Sequence, residues 1–174
     1  ITVASDYAVT ASGNTSVAQA NAIDADTTGV ITATITEGDA ATLVNLTGTG
    51  NAYTITTTDA SVTAANLNTL DGFTTVNVVA TASGTITGAA AAVATAISAG
   101  TIDTAGNVIT TLAAGSAAAT DLTTINANTS TAVGAGAVST ITGTAAEVAA
   151  VVTAGAQITV ASDYAVTASG NTSV

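Results

Sequence analysis

Three aspartates stand where chemistry could begin. Asp24 and Asp26 lie in IDADTTG (23–29) and Asp71 lies in LDGFTT (70–75); INANTST (125–131) is a neutral analogue, with Asn126 in the place of Asp24 and Asp71. A carboxylate flanked by loop carbonyl oxygens suits a hard cation. Calcium is therefore the candidate cofactor, and Asp24, Asp26 and Asp71 are its candidate ligands. The same residue types also close Asx turns at helix ends without a metal, so both readings stand. Catalysis has less to draw on. The chain contains no His, Cys, Lys or Arg, the residues that most often supply a base, a thiolate or a reactive amine. No paired carboxylates are set apart among apolar residues, and an enzyme is not expected.

Composition narrows the partners. The formal charge is −11 without a single basic side chain. Nucleic acid binding depends on Lys and Arg neutralising phosphates, so that class is excluded. Anionic membrane surfaces are excluded on the same ground, and no apolar run reaches the ~18–20 residues of a membrane span. Ala (42 residues) and Thr (39) dominate the 174. Such low complexity often means disorder, yet 48% of residues are hydrophobic and only 6% charged, which favours a folded chain. Lacking Lys and Arg, it also offers no trypsin-type cleavage site, which suits an extracellular surface.

The elements that must position these residues recur along the chain. A small, mostly polar residue is followed four and seven places later by apolar ones, with leads at Ser16, Asp39, Thr63, Ala89, Ala118 and Thr144, then Ser173. Ser16, Asp39, Thr63 and Thr144 are of the types that cap helix N-termini. Ser16 with Gln19, and Thr144 with Glu147, fit a reciprocal capping box. The apolar pairs are Ala20/Ile23, Leu43/Leu46, Leu67/Leu70, Val93/Ala96, Leu122/Ile125 and Val148/Val151, each on one helix face. Helices of about two turns cannot stand alone and need neighbours.

Between them the chain reads as strand: VITATIT (30–36), AYTITTT (52–58), GTIT (84–87), VITTL (108–112), STIT (139–142) and AVTA (165–168) alternate β-branched residues with Thr. TVNVVA (75–80) and QITVA (157–161) are further short apolar stretches. Thr-x-Thr arrays of this kind could order water as an ice-binding face. The uneven turns and the break at VITTL argue against it. NTS (14–16), NLT (45–47) and NTS (128–130) are glycosylation acceptor triplets.

Two periods organise the chain. Residues 67–100 lie over 122–155 without a gap, and ITVASDYAVTASGNTSV occurs at both 1–17 and 158–174. The second repeat sets a period of 157 residues, so 1–157 reads as one complete repeat and 158–174 as the start of the next. Helix-plus-strand turns of about 23–29 residues cannot bury their own apolar faces and must stack. The fold expected is a β-solenoid with short helices, six coils per 157-residue repeat and parallel stacked strands.

SVAQANAIDADTTGVITATITEGDAATLVNLTGTGNAYTIT (16–56) and ITGTAAEVAAVV (141–152) resemble the Ala/Thr/Asp-rich tandem solenoid repeats of giant bacterial cell-surface proteins of the cyanobacterial type. The resemblance implies an extracellular, cell-surface sheath, stalk or fibre, commonly stabilised by calcium. The expectation is thus a structural protein: the repeating rod of an extracellular filament, sheath or giant surface protein. Its partner would be itself, by end-to-end continuation and lateral bundling. A calcium-dependent adhesin stalk is the alternative, and an ice-binding rod the third.

Overall fold

The structure is a computed structural model that describes residues 5–170. Among these, six α-helices form: α1 (Val17–Asp24), α2 (Ala40–Leu43), α3 (Ala64–Phe73), α4 (Ala90–Ser98), α5 (Ala119–Asn128) and α6 (Ala145–Ala154). Each begins one residue after a lead position read from the sequence; the seventh lead, Ser173, lies outside the described residues. The capping chemistry explains the starts. Ser16 Oγ accepts from Gln19 N (3.2 Å) while Ser16 N donates to Gln19 Oε1 (2.9 Å). Thr144 and Glu147 make the same reciprocal pair at α6. Asp39 accepts from Thr42 N at 3.0 Å at the start of α2. Thr63 directly precedes α3, while Ala89 and Ala118 provide no side-chain cap.

Thirteen strands lie among the described residues: β1 (Val9–Thr15), β2 (Ile31–Ile35), β3 (Ala52–Thr54), β4 (Ser61–Thr63), β5 (Val78–Ala80), β6 (Thr85–Gly88), β7 (Ile102–Thr104), β8 (Ile109–Leu112), β9 (Gly115–Ala118), β10 (Val133–Ala135), β11 (Val138–Thr144), β12 (Ile158–Val160) and β13 (Ala165–Ser169). All their pairings are parallel.

The chain divides into two compact units. The first comprises the described part of 1–59 with 66–82 and 100–104. It holds a three-stranded sheet in the order β1-β2-β3 and a two-stranded sheet β5-β7. Strand β2 alternates as its sequence requires: Ile31, Ala33 and Ile35 are buried, Thr32 and Thr34 exposed. Tyr53, Ile55, Leu67 and Leu70 are fully buried in this unit.

The second unit comprises 60–65, 83–99 and 105 onwards. It holds a five-stranded sheet in the order β12-β10-β8-β6-β4 and a three-stranded sheet β13-β11-β9. Helices α4, α5 and α6 pack side by side. Their inward residues Val93, Ala96, Leu122 and Ile125 are fully buried. Burying a Leu or Ile contributes about 1.5–3 kcal/mol, which is what holds helices too short to stand alone.

The single stacked β-solenoid of six coils is therefore not what forms. The described residues form an α/β fold with several parallel sheets, the largest five-stranded, and six helices. Pairing between the short strands breaks off from one turn to the next: past β3 it thins to isolated bridges at Asn51–Thr74 and Thr56–Val79. One strand donor is taken by a side chain, Ile31 N donating to Asn51 Oδ1 (2.9 Å). At the helix starts, Ala40 N donates to Asp59 Oδ2 (2.8 Å) and Val17 N to Glu37 Oε2 (3.0 Å).

Candidate functional site

Asp24 is the last residue of α1, where the helix dipole does not favour a negative charge. Neutral donors hold it instead. Asn51 Nδ2 donates to Asp24 Oδ1 and Thr47 Oγ1 to Asp24 Oδ2, each at 3.2 Å. Asn21, one turn back on α1, joins the same network. It donates through Nδ2 to Asn45 O (2.8 Å) and accepts from Thr47 N through Oδ1 (2.9 Å). Gly48, at φ +77°, lies against the Asp24 carboxylate, and a Cβ there would collide with it. Only glycine combines this backbone with this approach.

Asp26 is engaged elsewhere: the Tyr7 hydroxyl donates to Asp26 Oδ2 at 2.5 Å. That bond, followed by desolvation and the carboxylate's charge, raises the Tyr7 pKa. Asp71 lies within α3 rather than in the loop after it. Among the described residues no three acidic side chains gather into a set that could hold a metal ion. Asp24 thus anchors a polar clasp between the end of α1 and the turn leading to β3. The sequence reading missed Asn21, Thr47 and Asn51; their side chains reach residues about one turn away along the chain, which local patterning does not reveal.

Beneath the clasp lies Tyr53, fully buried, its hydroxyl without a hydrogen-bond partner. Burial, with the Asp24 charge second, pushes its pKa up to about 12.

A second feature lies on the other side of α1. β1 ends its sheet, and a groove of about 400 Å³ opens beside it, lined by Ala11, Ser12, Asn14, Gln19 and Ile23 among others. Ile23 is half-buried, whereas its counterparts Leu46, Leu70, Ala96, Ile125 and Val151 are all buried. The groove holds no charged side chain, and its uncovered apolar surface suits a protein segment better than a reactive ligand.

No protein-family model, no curated protein and no solved structure matches the chain.

Proposed function

We propose that the chain is a structural protein, a repeating segment of an extracellular filament, sheath or giant cell-surface protein, whose partner is a further copy of itself. The observation that carries this reading is the seventeen-residue identity of 1–17 with 158–174, one sequence recurring after 157 residues. Several features support it. Acidic side chains at the best candidate metal turns are spent on holding backbone and neighbouring turns together, as the Asp24 clasp illustrates. Stability rests on short helices and parallel strands packed through small residues, a construction that extends by repetition. No helix among the described residues is long and apolar enough to cross a membrane.

Electron microscopy with antibodies raised against this chain tests the reading on the native source. Labelled fibres or a labelled coat at the cell surface are expected. Label confined to dispersed particles inside the cell would overturn it.

A further inference from the structure

The same segment occurs in the described residues in two different environments. As β1 it pairs with β2, Val9 facing Ile31 and Thr10 facing Thr32. As β13 it pairs with β11, Val166 facing Ile141 and Thr167 facing Thr142. Val166 is the repeat of Val9, and Thr167 that of Thr10. The local backbone agrees at the glycine of the segment: Gly13, inside β1, has φ +84° and its repeat Gly170, just after β13, φ +90°. One strand conformation thus accepts two different neighbours.

The two neighbours need not compete for one edge. Successive residues of a strand direct their N–H groups to opposite edges. Val9 N donates to Val30 O at 3.0 Å, so Thr10 directs its N–H away from β2. That is the edge along which the groove lies open. β13 leaves uncovered what its copy partly buries. β13 is exposed along its length and Val166 is 47% exposed, while Val9 is half-buried under the β2 pairing. On α6, Val152 is 59% exposed. Its counterpart fifty-five residues earlier, Ile97, lies on a helix that packs against α5 and is buried. Ile23 on α1 lacks a cover of the same kind.

From these observations we infer that β1 of a second copy of the chain takes the place of β13 on β11, joining two molecules into one parallel sheet in the order β9-β11-β1-β2-β3, the last three strands from the second copy. The register is that of β13: Ile141 faces Val9 of the second copy, Thr142 faces Thr10 and Thr144 faces Ser12. α6 then fills the groove beside α1, covering Ile23 with the surface that carries Val152. β1 displaces β13, and not the reverse, because β1 is the more buried copy. The inference rests on the reading of the chain as a self-associating structural protein and names the strand that makes the join.

The test uses the full 174-residue chain. The sequence contains no cysteine, so an introduced pair reports one contact. A Thr10→Cys chain mixed with a Thr142→Cys chain should give a disulfide-linked dimer under mild oxidation. The link to a Thr140→Cys chain, two residues out of register, should be lost, because a disulfide does not span that separation. Proline gives a second readout. Thr10→Pro removes the N–H on the joining edge and should abolish oligomers in light scattering. Thr167→Pro, the same change in the other copy, weakens β13 on β11 and should increase them. Opposite outcomes from one substitution in two identical segments are not what general loss of stability produces. A monomer at all concentrations, equal linking in both registers, or oligomers lost in both proline variants would overturn the join. Oligomers that form without the Thr10–Thr142 link would overturn the join alone and leave self-association standing. The link with no label at the cell surface would leave the join and overturn the proposed function.

Discussion

Thr110 is the one polar residue in a row of aliphatic ones, and its removal should stabilise the protein. It lies on β8 facing Ile86 on one side and Val133 on the other; beyond them stand Val62 and Ile158. The residue is fully buried, and its hydroxyl has no hydrogen-bond partner. Burying a hydroxyl without a partner costs about 1–3 kcal/mol on mutational scales. Val has nearly the same shape, the same β-branched stiffness and the same preference for strands. Thr110→Val should therefore add about 1–3 kcal/mol of stability, and each kcal/mol should raise Tm by about 2–4 °C in a chain of this size. Urea denaturation followed by circular dichroism reads the change as a higher midpoint at unchanged slope. Thr110→Ser is the complementary variant: it keeps the hydroxyl, deletes a methyl and should lose about 1 kcal/mol. A midpoint unchanged or lowered in Thr110→Val would refute the reasoning, since it would mean that the hydroxyl is satisfied in solution.

Three further outcomes can be measured on the same protein. Because the folded pKa of Tyr53 is raised from 10.0 to about 12, the native state favours the neutral phenol. Its contribution is present below pH ~10 and is lost as pH rises through about 12; Tyr53→Phe should flatten that alkaline loss, and an identical loss in the variant would sink the assignment. Ser16→Ala should cost α1 about 0.5–2 kcal/mol, whereas Ala89→Ser at the uncapped start of α4 should gain a similar amount. Equal thermal shifts of the same sign would show that capping is not what distinguishes the two sites. Finally, Asp24 already accepts from Asn51 and Thr47 and Asp26 from Tyr7, so EDTA should leave Tm unchanged; a lowered Tm restored by calcium would return these aspartates to metal chemistry.

The helices were legible because their signals are local. A cap and an apolar pair within eight residues suffice to place a helix, and eleven of the twelve paired residues are buried. The exception, Ile23, marks the groove. Strands were legible where β-branched residues alternate, as in β2, and hidden where they do not. β9 is GSAA, and β10 is VGA; neither carries a period-two signal, and only pairing with a neighbour makes them strands. The division into several sheets was not legible at all. It depends on contacts made about twenty residues along the chain, such as the Ile31 N–H taken by the Asn51 side chain and the isolated bridges beyond β3. The Asp residues were read for metal binding because loop position is visible in sequence and occupied oxygens are not.

A chain of charge −11 without one basic residue must stabilise its carboxylates by other means, and the structure shows which. Backbone and amide N–H groups serve in place of cations. Glu37 accepts from the first amide of α1 and Asp59 from the first amide of α2. Asp39 and Glu147 accept amides at the starts of α2 and α6. Helix N-termini leave such donors unsatisfied and carry partial positive charge, so each acid there completes a hydrogen bond that the helix needs. The Thr42 bonds lower the Asp39 pKa accordingly. The contribution of that cap is present above the ordinary carboxylate value of 3.8 and is lost as pH falls below it. Glu37 and Asp59, each reaching a helix start about twenty residues back, bind one turn to another. Single turns are then not interchangeable. The recurring segment shows what such a surrounding asks of a strand: it pairs with β2 as Val9–Thr15 and with β11 as Ala165–Ser169.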